Sequence, residues 1–105
     1  MDPEAKVVTL CGSTRFEAEF AEVGRRLTLE GYVVISLGTF DLSGLAGDDD
    51  EVAERLGRLH LQKIRMADEV FIVDPGGYRG ESTRREIAYA ESLGKTVRYL
   101  SREDA

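Results

Sequence analysis

A chain of 105 residues with 42% hydrophobic and 32% charged residues is built for one globular domain, and its formal net charge of −6 argues against a broad basic face for nucleic acid. The longest apolar runs, such as Val70 to Val73, are far too short to cross a membrane, and the opening MDPEAK has no apolar signal region, so a cytoplasmic protein is expected. Its single cysteine, Cys11, excludes an internal disulfide, and without a Cys/His cluster in the sequence no structural zinc site is expected.

Lys6 to Cys11 is a β-branched apolar run that stops at Gly12, the pattern of a buried strand. Ser13 or Thr14 caps the helix that follows, where Phe16, Phe20, Val23 and Leu27 form one apolar stripe and Gly31 is the stop. Tyr32 to Ser36 is the second strand. Residues 37–50 make a glycine-rich loop of about 14 residues, long enough to suggest a lid or binding loop. The acidic run Asp48, Asp49, Asp50 and Glu51 opens the second helix, where negative charge suits the helix dipole. That helix runs to about Ala67 with Val52, Leu56, Leu59 and either Lys63 or Ile64 inward. Glu69 to Asp74 is the third strand, stopped by Pro75, Gly76 and Gly77. The third helix starts near Ser82 with Thr83, Ile87 and Ala90 on its apolar face and ends at Gly94. Thr96 to Leu100 is the last strand, and the polar tail SREDA is expected to fray.

Strands without polar alternation, separated by helices, predict a doubly wound α/β sandwich of the flavodoxin or Rossmann-like kind. Its four-stranded parallel sheet has the expected order 2-1-3-4. Ligands of such sheets lie beyond the carboxyl ends of the strands, where the strand order reverses. The loops following strands one and three, CGSTR and DPGGYRGEST, meet at that place.

Both loops suit an anion. Gly12 allows close approach of the backbone, Ser13 and Thr14 offer hydroxyls and N–H groups, and Arg15 can fork onto phosphate oxygens. The same residues also fit an ordinary strand–helix turn. Ser82 and Thr83 lie at the start of the third helix, a second phosphate-type position. Glu86 follows within about a turn, at the edge of the apolar side, and is the candidate nucleophile or general base. Asp74 is either a second acid or a loop cap. Tyr78, Phe40 and Tyr89 can stack on a flat base. His60, the only histidine, faces either the site or water, and Cys11 reads as packing.

These residues together resemble the nucleoside 2-deoxyribosyltransferase superfamily, in particular its small branch of deoxynucleoside 5′-monophosphate N-glycosidases. CGSTR is similar to that branch's phosphate loop. ADEVFIV at 67–73 and REIAYAESLGKTV at 85–97 are similar to the superfamily's Ala-Asp-x-Val and Glu-(Leu/Ile)-x-x-Ala-x-x-x-Gly-Lys signatures. The stretch GGYRGESTRREIAYA also resembles a group of small bacterial and phage domains. The resemblance implies that Glu86 is the nucleophile, that Gly12, Ser13, Thr14, Arg15, Ser82 and Thr83 hold a phosphate, and that Phe40, His60, Asp74, Tyr78 and Gly80 surround the base and sugar. His60 stands where the family usually has an Asp. Gly80 stands where it often has an Asp or a Ser.

The resemblance further implies cleavage of the N-glycosidic bond of a nucleotide, with no metal or organic cofactor, in a homodimer or higher homo-oligomer. Two other functions fit the same residues: a nucleotide-binding or sensing module without turnover, and a transferase acting on unphosphorylated nucleosides. Arg15 speaks against the transferase, because a free 5′-hydroxyl gives a guanidinium no anionic partner.

Overall fold

The computed structural model describes residues 4–38 and 50–103. The strands are β1 (Val7–Gly12), β2 (Val33–Ile35), β3 (Glu69–Val73) and β4 (Thr96–Tyr99), and the helices are α1 (Glu17–Leu29), α2 (Asp50–Met66) and α3 (Glu81–Ser92). Single 3-10 turns lie at Thr14–Phe16, Pro75–Gly77 and Leu100–Arg102. All strand pairs are parallel and form one four-stranded sheet in the order β2-β1-β3-β4, the α/β architecture expected from the sequence. Phe40, with the rest of residues 39–49, lies outside the described residues.

Strand parity explains both the missing polar alternation and the position of each helix. Side chains along a strand point alternately to opposite faces. Val8 and Leu10 of β1 and Phe71 and Val73 of β3 pack against Phe20, Val23 and Leu27 of α1. Their neighbours Cys11, Val70 and Ile72 pack on the other face against Ile64 of α2 and Ala90 of α3. Thr9 follows the same parity and donates a hydrogen bond to the Lys63 carbonyl of α2 at 2.8 Å. The two central strands are therefore covered on both faces, which is why each reads as a continuous apolar run. Phe16 belongs to the 3-10 turn before α1 and is only half-buried.

In α2 Val52 and Leu56 are half-buried and Ile64 is buried, as expected, but Leu59 gives way to His60. His60 and Ile64 are its buried residues, whereas Leu59 is 49% exposed. Positions 60 and 64 are one helical turn apart and share a face, so burying Ile64 beside Cys11 carries His60 inward with it. Lys63 sends its ammonium to the Ser36 carbonyl at 2.9 Å, which ties α2 to the end of β2.

Two motif residues have structural roles. Asp68 Oδ2 accepts from the Val7 N–H at 2.8 Å, and Lys95 Nζ donates to the Ala67 carbonyl at 2.5 Å. The polar tail, expected to fray, is tied down as far as Glu103. Ser101 donates to Asp74 through its backbone N–H at 2.9 Å and its hydroxyl at 2.8 Å. Glu103 bridges Arg26 at 2.6 Å and Arg98 at 3.1 Å. Asp74 is fully buried, and a buried carboxylate requires donors; the tail supplies two of them.

At the carboxyl end of the central strands the backbones come unusually close. A β-carbon on Gly12 would lie 2.6 Å from the Val73 carbonyl oxygen, so β1 and β3 can keep this register only with glycine there. Gly12→Ala should lower stability by about 1–3 kcal/mol in chemical denaturation, the usual range for forcing extra volume into a packed region. An unchanged midpoint would contradict the close packing.

Candidate active site

Parity decides where the chemistry sits. Cys11 is the last β1 side chain on the face covered by α2 and α3, and both helices present a polar residue to it. Cys11 Sγ lies 3.2 Å from His60 Nε2, which lies 3.6 Å from Glu86 Oε1. Cys11 is fully enclosed and His60 is 6% exposed, while the Glu86 side chain retains 18% exposure. Glu86 is the sixth residue of α3, deeper in the helix than the sequence suggested. It lies between the buried Thr83 and Ala90 at spacings of three and four, on the face turned to the sheet.

Burial governs the charges. It pushes the Glu86 carboxyl up to about 7, against the smaller lowering effects of the Cys11 thiol and the Arg85 guanidinium. Burial also pushes His60 down to about 4, helped by the nearby Lys63 ammonium. The Cys11 thiol is raised well above its ordinary range by burial and then by Glu86. Near neutral pH the imidazole is uncharged and the thiol protonated. The His60–Glu86 contact is then a close polar approach and not an ion pair, and Glu86 is the member of the three that changes charge there. His60 Nδ1 is buried without a hydrogen-bond partner among the described residues.

Above the cluster, Gly12 leads into the 3-10 turn Thr14–Phe16, where the Ser13 hydroxyl accepts from the Arg15 N–H at 3.3 Å. The Arg15 guanidinium stacks 4.3 Å above the Tyr78 ring, and Phe16 meets the same ring edge-on at 5.8 Å. Tyr78 thus joins the loops that follow β1 and β3. Arg15 makes no ion pair with a carboxylate among the described residues. Thr14, His60 and Lys63, with Leu37, Leu56 and Leu59, line a largely apolar cavity of about 200 Å³. A groove of about 580 Å³ runs past Tyr78, Arg79, Arg84, Ile87 and Tyr99 but includes none of Cys11, His60 and Glu86. The smaller cavity touches the cluster through His60.

The remaining expected residues fall in three places. Gly80 is the N-cap of α3 and gives no side-chain cap, so the first-turn N–H groups of that helix have no capping side chain; Ser82 is exposed there and Thr83 buried. Asp74 was expected near the base and sugar, but its carboxylate accepts from Arg79 Nε at 2.9 Å and from Ser101, which makes it a scaffold residue. Phe40 lies outside the described residues. Cys11 is the site residue that sequence reasoning passed over. The signal that could have found it was parity with Thr9, which places it on the α2/α3 face.

No family model, curated protein or solved structure matches this chain.

The raised Glu86 carboxyl has a measurable sign. Its ordinary value is 4.5 and its folded value about 7, so between them the folded state holds more protons and stability falls as pH rises. His60 acts oppositely, and its contribution is lost as pH falls from 6.5 through about 4. Glu86→Gln removes only the first effect. In paired urea titrations the variant's stability relative to wild type should rise between pH 4.5 and 7, by on the order of 2–3 kcal/mol. A difference independent of pH would contradict the burial of this carboxyl.

Proposed function

We propose that this protein hydrolyses the N-glycosidic bond of a (deoxy)ribonucleoside 5′-monophosphate with Glu86 as the nucleophile. The observation that carries the reading is a carboxyl raised to about 7 at the carboxyl end of the central strand, directly below the Gly12–Arg15 loop. The motif resemblance points to the same residue.

In this reading the ionised Glu86 attacks C1′ through an oxocarbenium-like transition state. The C1′–N bond breaks, the base leaves with the electron pair and takes a proton from solvent, and a glycosyl ester forms on Glu86. Water then attacks C1′ of the ester. The neutral imidazole of His60, 3.6 Å from Oε1, is placed to accept that water's proton as the carboxylate is released. Arg15, Ser13, Thr14 and the uncapped first turn of α3 at Ser82 and Thr83 bind the 5′-phosphate. Tyr78 holds the Arg15 guanidinium in place for this. Binding energy from the phosphate serves the distant bond by positioning C1′. The cavity beside His60, walled by Leu37, Leu56 and Leu59, suits a flat base. The same resemblance supports a homodimer or higher homo-oligomer, and the single cysteine fits a reducing cytoplasm.

One observation favours a second reading, a nucleotide-binding module without turnover. His60 occupies the position where the resembled family usually has a carboxylate, leaving Glu86 as the only acid of the cluster.

Incubation with a panel of nucleoside 5′-monophosphates and the matching nucleosides distinguishes these functions. Free base is expected from a monophosphate, with kcat/KM rising about tenfold per pH unit below about 7 and levelling above it. Glu86→Gln should lose ~10³-fold or more of the rate while still binding the nucleotide. Arg15→Ala should weaken use of monophosphates by about 10- to 100-fold and leave nucleosides unaffected, as expected for a lost charged hydrogen bond. Thermal stabilisation by a monophosphate without base release would establish the binding module instead.

A further inference from the structure

The Cys11–His60–Glu86 cluster has the donor chemistry and spacing of a metal site, although neither residue pattern nor spacing in the sequence suggests one. The three donors come from β1, α2 and α3, and their ligand atoms all lie within 4.8 Å of one another. A tetrahedral zinc ion with bonds of ~2.3 Å to sulfur and ~2.0–2.1 Å to nitrogen and oxygen sets its ligand atoms about 3.3–3.6 Å apart. The separations here are 3.2 Å for Cys11 Sγ to His60 Nε2 and 3.6 Å for His60 Nε2 to Glu86 Oε1. The third pair, Cys11 Sγ and the Glu86 carboxylate, lies within 4.8 Å, so bringing all three ligand atoms onto one ion takes a side-chain movement of up to about 1 Å there.

We propose that Cys11, His60 and Glu86 bind a thiophilic divalent cation of the Zn²⁺ class, through Sγ, Nε2 and one carboxylate oxygen. A thiolate and an imidazole select such ions over Mg²⁺ or Ca²⁺, which prefer oxygen. Cys11 and His60 close the inner side, and the partly exposed Glu86 leaves the outer side for entry and for a fourth ligand from solvent. Coordination releases the thiol proton to solvent. His60 Nδ1 has no hydrogen-bond partner among the described residues. Metal-bound histidines usually have such a partner, and losing it lowers affinity by about 10- to 100-fold. A bound cation occupies the Glu86 carboxylate that the proposed glycosidase needs. Zn²⁺ is then an inhibitor that shuts off base release, a consequence that rests on the glycosidase reading.

Co²⁺ added to protein freed of metal by chelation and desalting tests the site directly. Cys11 is the only cysteine, so a thiolate-to-cobalt charge-transfer band can come from no other residue of the chain. The band is expected, with displacement by Zn²⁺, loss in Cys11→Ser and at least tenfold weaker binding in His60→Gln and in Glu86→Gln. Circular dichroism of each variant verifies that it is folded. No band in folded wild type at excess Co²⁺, or an unchanged affinity in folded His60→Gln and Glu86→Gln, overturns the site. The two claims separate cleanly. Base release is assayed on the metal-free protein: a cobalt band with no release from that protein supports the metal site and sinks the glycosidase, whereas release without the band does the reverse.

Discussion

The desolvation of one carboxyl underlies most of what this fold can do. Glu86 is carried to the sheet by a helix whose neighbouring inward residues, Thr83 and Ala90, are packed, so its carboxyl lies largely out of water with 18% of the side chain exposed. A carboxyl held there without a paired cation stays protonated to about pH 7. The two groups nearest it cannot neutralise it. His60 is kept uncharged by its own burial, and Cys11 is a protonated thiol. The three together form a site that is uncharged between about pH 4 and about pH 7 and carries one negative charge above that window.

That arrangement follows from a simple rule, the two-residue repeat of a strand. β1 sends Val8 and Leu10 to α1 and Thr9 and Cys11 to α2 and α3. Because two helices share the second face, the end of β1 is where side chains from three elements can touch. The switch in strand order between β1 and β3 then places the loops after these two strands side by side. Tyr78 closes the gap between those loops by accepting Arg15 and Phe16 on one ring.

The strand order and helix sequence were legible because continuous apolar strands and glycine stops have few other solutions. Glu86 was legible from its helix position beside Ile87. Cys11 was not, since a small residue at the end of an apolar run looks the same whether its neighbour is a leucine or a histidine. His60 was ambiguous because α2 carries apolar residues on more than one side. Only packing against Cys11 and Ala90 selects Ile64, and with it His60, over Leu59. Asp74 illustrates the opposite case. Its place at the end of β3 left a second acid and a loop cap both open, and its oxygens are taken by Arg79 and by a tail whose polar residues read as frayed.

The most direct measurement is a carbon-13 NMR titration of the glutamate side-chain carboxyls, with the Glu86 signal assigned by its loss in Glu86→Gln. A midpoint near 7 is expected for Glu86. A midpoint near the ordinary 4.5 would mean that the carboxyl is solvated, and the buried cluster with the chemistry built on it would be wrong.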